Sequence, residues 1–248
     1  MTKPFSLLIG IHSVGSALAK APQQVKLITV AGECRNPRVQ ELIVRAREAG
    51  VPVVTESRAV LDRKSAEQRH QDVIAEFEAA NVGTEKDLDR ILDAVEVSPL
   101  VLVLDGVQDP QNLGACLRTA EAAGVDLVIL PKDGSAGLTP VARRSASGAA
   151  EVLPILIVTN LARVLRHLKQ RGIWLAGTTD AAGTGLYESD LKGPLGLVMG
   201  SEGKGMRRLT SELCDYHLRI PMHGTVSSLN VSVATGICLF EILRQRQL

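Results

Sequence analysis

Apolar residues return along this chain in two different rhythms. From residue 100 onward, short and largely apolar runs occupy 100–104, 127–130, 155–158, 173–176, 195–199 and 218–220. Runs of that length suit strands of a parallel sheet, covered on both faces. Between them, apolar positions recur every three or four residues, the spacing of a helix with one buried face. Helices are expected over 113–123, stopped by Gly124, over 141–147, over 160–170, capped by Asn160 and stopped by Gly172, and over 230–246. Strands and helices alternate throughout, which predicts an α/β class with a mainly parallel sheet.

The first third reads as a smaller α/β unit. The expected order is a helix over 14–20, a strand over 25–30, a helix over 37–49 that turns Val39, Leu42, Ile43 and Ala46 inward, and strands over 51–54 and 72–77. Residues 61–71 are polar and hold Arg63, Lys64, Arg69 and His70. They read either as a loop that touches phosphates or as a solvated connection. Residues 84–97 form an acidic amphipathic stretch opened by Thr84 and Asp87, a capping-box spacing. The chain is therefore divided into a domain over 1–80, a linker over 81–98 with a helix of its own, and a larger domain over 99–248.

With 248 residues, 45% of them hydrophobic and 2% aromatic, the chain can bury a substantial aliphatic core and is not disordered. The net charge is +1, spread as +2, −3 and +2 over the three segments, so nucleic-acid binding is neither demanded nor excluded. Four scattered cysteines without a C-x-x-C pair suggest free thiols in a reducing compartment. No apolar run reaches the roughly 18–20 residues of a membrane span, and a cytoplasmic protein is expected.

Three stretches carry candidate chemistry, each at the end of an apolar run. The first is Asp105 to Arg118, the second Leu197 to Gly205, the third Ile220 to Ser232. Ligands of a parallel sheet bind beyond the carboxyl ends of its strands, so the three are expected to meet. Taken singly, each also has a plain structural reading: Asp109-Pro110 as a turn, Asn112 as a helix cap, Arg118 as a surface charge, Ser227 to Ser232 as an elaborate cap. Gly200-Ser201-Glu202-Gly203-Lys204-Gly205 fails the Walker test because no Ser or Thr follows Lys204, and it fails the dinucleotide fingerprint on spacing. What remains is a glycine-dense turn built for close approach. No G-x-S-x-G elbow is present, and the five histidines stand in no metal-ligand spacing, with His223 alone near the candidate site.

Together the three stretches resemble the SpoU (TrmH-type) family of RNA ribose 2′-O-methyltransferases, of the SPOUT class. The resembling residues run from Asn112 through Arg118-Thr119-Ala120, from Leu197 through Gly203, and from Ile220-Pro221-Met222 through Ser227-Ser228-Leu229-Asn230-Val231-Ser232. Leu104 to Val107, Asp109-Pro110, Ser145 to Glu151 and Gly10-Ile11-His12 extend the likeness, over nearly the whole chain, to members that methylate a guanosine of bacterial 23S rRNA. The resemblance implies a deep trefoil knot in the C-terminal domain, a homodimer, and a small N-terminal substrate-binding domain similar to ribosomal proteins. It implies S-adenosyl-L-methionine as cofactor and no metal. It further implies Arg118 as base or activator of the ribose hydroxyl, Asn112 and Asn230 orienting Arg118 and the ribose, and Glu202 and Ser228 holding the pocket or substrate. Gly200, Ile220 and Leu229 would lie against the cofactor. Alternatives are the same chemistry on tRNA or another rRNA site, or a non-catalytic RNA-binding or ribosome-assembly protein, for which the Asn112/Arg118/Glu202/Asn230 set would be superfluous.

Overall fold

A computed structural model describes residues 5–32, 34–78, 82–226 and 228–247, which form two compact units. The first holds the described residues before Val82 together with Ser147–Val152; the second holds Val82–Ala146 and the chain from Leu153 on.

The first unit runs β1 (Phe5–Ile9), α1 (Ile11–Lys20), β2 (Val25–Ala31), α2 (Pro37–Glu48), β3 (Val53–Glu56), α3 (Arg58–Lys64) and β4 (Val73–Glu78). Its sheet has the order β1-β4-β2-β3, with β4 antiparallel to both neighbours and β3 parallel to β2. Helix α2 starts where expected: Pro37 needs no N–H partner, and the Asn36 side chain accepts the N–H of Arg38 at 3.1 Å. Val39, Leu42 and Ala46 of α2 pack with Val14, Ala17, Ile28, Val73 and Phe77 into the unit's core. The polar stretch 61–71 departs from the expected loop, because α3 occupies its first part. Leu61 is completely buried with Ala31 and Ile74, and this one apolar anchor holds a short helix that periodicity cannot reveal. Helix α7 (Ala149–Val152) completes this unit.

The second unit runs α4 (Leu88–Asp93), β5 (Leu100–Asp105), α5 (Pro110–Ala122), β6 (Leu127–Pro131), α6 (Pro140–Ala146), β7 (Ile155–Val158), α8 (Leu161–Gln170), β8 (Trp174–Thr178), β9 (Thr184–Gly185), β10 (Leu195–Gly200), α9 (Arg208–Leu213), β11 (Tyr216–Arg219) and α10 (Val231–Arg246). The sheet order is β7-β6-β5-β10-β8-β11-β9, and every neighbouring pair is parallel. Strands β5 and β6 are buried along their whole length, as an apolar run covered by helices should be. The capping-box pair is present, with the N–H of Thr84 donating to Asp87 at 3.0 Å. Residues 82–98 are packed into this unit rather than spanning a gap: Gly83 bridges Leu156, and Leu88 and Leu92 join the core around Val158 and Leu165. The cap of α5 is Asp109, whose carboxylate accepts the N–H of Gln111 at 2.8 Å, so Asn112 lies inside the helix and its amide is free for other work.

Candidate functional site

Strands β8, β10 and β11 are neighbours, and their carboxyl ends open on one cavity of about 260 Å³. Gly200, Glu202, Ile220, Ser228 and Leu229, all expected at the site, line it. So do Thr178, Thr179 and Asp180, which sequence reasoning passed over. The same signal marks them, since Thr178-Thr179-Asp180 is a polar opening at the end of β8. Met199, Leu218, Met222, Val231 and Ala234 supply the apolar part of the lining.

The loop after β10 is fastened at two points. At its tip, Glu202 Oε1 accepts the side-chain N–H of Asn112 at 2.8 Å and that of Asn230 at 2.8 Å, and the backbone N–H of Val231 at 3.4 Å. Asn230 Nδ2 also donates to Asn112 Oδ1 at 3.0 Å, while Asn230 Oδ1 caps α10 by accepting the N–H of Ser232 at 2.9 Å. One residue from each of the three stretches therefore meets in a single hydrogen-bonded triangle, and a carboxylate sits at the N-terminus of a helix, where the dipole favours it. At the loop's end, Asp105 accepts the backbone N–H of Arg207 at 2.8 Å and faces its guanidinium at 3.5 Å. Asp105 is 1% exposed, and Arg207 reaches on to the carbonyl of Asp133 at 2.7 Å. Between these points Ser201 and Gly205 exchange backbone hydrogen bonds. The turn is so tight that a Cβ on Gly200 would come within 2.2 Å of the Gly205 carbonyl carbon.

Arg118 stands apart from this triangle. It is exposed and makes no hydrogen bond or ion pair with any described residue, nor does it line the cavity. Six residues along a helix turn the chain by about 240° beyond full turns, so Asn112 and Arg118 leave α5 in different directions. The amides of Asn112 and Asn230 are hydrogen-bonded to each other and to Glu202, and within the chain neither reaches Arg118. Arg118 follows Gly114 by one turn, on the side where α6 packs against α5. There a Cβ on Gly114 would meet the Ala142 carbonyl oxygen at 2.3 Å.

Burial pushes Cys116 up to about 11 and Cys214 and Cys238 up to about 12, so all three are neutral thiols near pH 7. Cys34 and Cys214 are only partly covered, unlike the buried Cys116 and Cys238. No group of three or more potential metal ligands occurs among the described residues. The cavity's lining suits a ligand with a flat apolar part, hydroxyls and a positive charge. Its leucine, isoleucine and methionine side chains offer a slot, Thr178, Thr179 and Ser228 offer hydrogen bonds, and Asp180 and Glu202 offer negative charge. S-Adenosylmethionine has those properties, and the residues fit it.

The description "SpoU rRNA Methylase family" matches residues 99–240, and "RNA 2′-O ribose methyltransferase substrate binding" matches residues 7–82. The 23S rRNA (guanosine-2′-O-)-methyltransferase RlmB of Pseudomonas putida is 53% identical over 240 residues, covering 97% of this chain and 96% of that protein. Its counterpart in Pseudomonas aeruginosa is 55% identical over 237 residues, covering 96% and 95%. Among solved structures, the SpoU methyltransferase AviRb of Streptomyces viridochromogenes, in complex with the cofactor AdoMet, superposes with a TM-score of 0.72 at 27% identity, covering 98% of this chain and 91% of that one.

Proposed function

The chain belongs to the SpoU rRNA methylase family, and on that premise we propose that it transfers the methyl group of S-adenosylmethionine to the ribose 2′-hydroxyl of a guanosine in 23S rRNA, within the peptidyl-transferase region. The observation that carries this reading is the meeting of Asn112, Glu202 and Asn230 beside a cavity at the strand ends. A pure RNA-binding protein has no use for that cavity.

When bound, the cofactor supplies an electrophilic methyl on a sulfonium, so the protein has to align the hydroxyl and handle its proton. Gly200, Ile220 and Leu229 would hold the cofactor, with Ser228 and Glu202 at the cavity's wall. Arg118 is the cation left free for RNA on α5. A guanidinium keeps its proton in water, so its work is to stabilise negative charge growing on the 2′-oxygen, or to fix the neighbouring phosphate. Arg118→Ala should lower methyl transfer about 10²–10³-fold, the effect of removing one donor aimed at developing charge, while adenosylmethionine binds with unchanged affinity by calorimetry. Normal turnover in that variant would remove Arg118 from the reaction.

The C-terminal segment is read as knotted. Support comes from the sheet order, in which β10 lies between β5 and β8 and the later β11 lies outside β8, and from the tight turn at Gly200. The residues before Val82 are read as the ribosomal-protein-like substrate-binding domain, in line with the matched description over 7–82. Pairing into a homodimer is supported by an apolar stripe on α10, where Val233 and Phe240 are 52% and 49% exposed and Ile237 lies between them.

A further inference from the structure

The first unit carries a second cavity, of about 660 Å³, that the catalytic reading leaves unused. It lies beyond the carboxyl ends of the parallel pair β2 and β3 and beside the start of β4. Its base is small: Ala31, Gly32 and Cys34. Thr55, Glu56, Ser57 and Arg58, all exposed, and the partly buried Asp72 complete its lining.

Two features distinguish this hollow from an ordinary surface dip. First, none of the three charged side chains makes a hydrogen bond or ion pair with any described residue. Other charges of the same unit are paired, as Lys26 is with Glu78 at 2.9 Å and His70 with Asp62 at 2.9 Å. Second, Asp72 is held in place at a conformational cost. Its φ is +66°, and Gln71 before it is at +51°. The lock is His70, 3% exposed: its Nδ1 accepts the backbone N–H of Asp72 at 3.0 Å, so Nε2 bears the proton and donates to Asp62. Asp72 thus lines the cavity from a fixed backbone, with no hydrogen-bond or ionic partner for its carboxylate among the described residues.

We propose that this cavity binds one unstacked guanine base of the RNA substrate. Two carboxylates and two hydroxyls give it an excess of acceptors. Among the four bases, guanine alone offers two adjacent donors, N1–H and the 2-amino group, to a single carboxylate. Arg58 at the rim matches the phosphate next to such a base and opposes a metal ion in the same place. Single-stranded RNA is read in this way, with bases splayed out and bonded along their edges. The inference rests on the reading of the residues before Val82 as the substrate-binding domain, and it names the chemical group that domain takes.

The test uses the full-length ¹⁵N-labelled chain and three single-stranded octaribonucleotides of uridine, carrying guanosine, inosine or adenosine at one central position. The guanosine octamer is expected to shift the backbone amides of Gly32, Cys34 and Glu56, and to bind about tenfold tighter than the inosine octamer, the loss expected from one missing hydrogen bond to a charged partner; the adenosine octamer, which lacks both donors, binds weaker still. Glu56→Gln and Asp72→Asn should each abolish the preference. Asparagine tolerates the left-handed backbone of Asp72, so that variant keeps the fold, and an unchanged spectrum elsewhere verifies it. Equal affinity for the three octamers, shifts confined to the surroundings of Gly200 and Leu229, or a preference that survives both substitutions would each overturn the proposal. Methyl transfer to 23S rRNA by the unaltered chain, measured alongside, keeps the two readings separate: transfer without guanosine preference removes only this subsite, and guanosine preference without transfer removes only the enzyme.

Discussion

Glu202 is an exposed residue whose carboxylate oxygen accepts three N–H groups from two distant segments. Glu202→Ala would leave the amides of Asn112 and Asn230 without their shared acceptor and slacken the wall of the cavity proposed to hold the cofactor. Adenosylmethionine affinity measured by calorimetry should fall about tenfold, or roughly 1.4 kcal/mol. Gly114 sets the opposite kind of limit, since it has to be bare for α6 to reach α5. Gly114→Ala should cost about 1–3 kcal/mol in urea unfolding, the range for forcing atoms into a packed contact. Both residues stand in stretches whose polar and glycine-rich composition marks them as chemical, yet their roles are not legible there. The sequence marked Asn112, Glu202 and Asn230 as unusual, and only proximity in space revealed that they spend their hydrogen bonds on one another.

Short elements behave differently from long ones. Helix α8 runs from its Asn160 cap to Gly172 much as spacing predicts, because Leu161, Val164, Leu165 and Leu168 form one buried face. Helix α3 has a single fully buried anchor and was invisible. The segment 82–98 is held by an anchor that periodicity also misses, Glu85. Its carboxylate accepts the hydroxyl and backbone N–H of Thr159 at 2.6 and 2.8 Å and the N–H of Asn160 at 3.2 Å. The Thr159 hydroxyl is the main cause holding Glu85 down at about 2 from its ordinary 4.5, against the opposing pull of burial. A carboxylate depressed in the folded state binds fewer protons there than in the unfolded chain, so its stabilisation is complete above about 4.5 and is lost as pH falls through about 2. Glu85→Gln should therefore lower the thermal midpoint at pH 7, and the gap between variant and parent should close as the pH is taken from about 5 to 2. A gap that stays constant with pH would mean that charge is not what holds the segment.

For the molecule as a whole, Phe240 and Val233 on α10 give the pairing prediction: Phe240→Asp should convert the proposed dimer to monomer in sedimentation velocity, because a charge would replace exposed apolar area at one end of the stripe. Removing residues 1–81 should abolish methylation of 23S rRNA while adenosylmethionine still binds, with a lowered thermal midpoint as a side effect. Ser147–Val152 belongs to the first unit, and Val152 packs against its core, so the deletion strips that segment of its cover.

The sequence by itself determined the α/β class, most strands of the parallel sheet, the meeting of three polar stretches at strand ends, and the family. These follow from local facts: the period of apolar positions, the residues that stop helices, and side chains too polar for a core. Three matters were decided only by tertiary structure. Ser147–Val152 joined the first unit although it lies far along the chain, because packing ignores sequence distance. Thr178, Thr179 and Asp180 became part of the cavity because β8 is inserted beside β10, an order no local signal encodes. Arg118 stands apart because Asn112 and Asn230 give their amides to Glu202, a partnership between segments far apart in the chain. Hydrogen-bond partners and sheet order are relations between distant residues, and a one-dimensional pattern carries the residues without the relations.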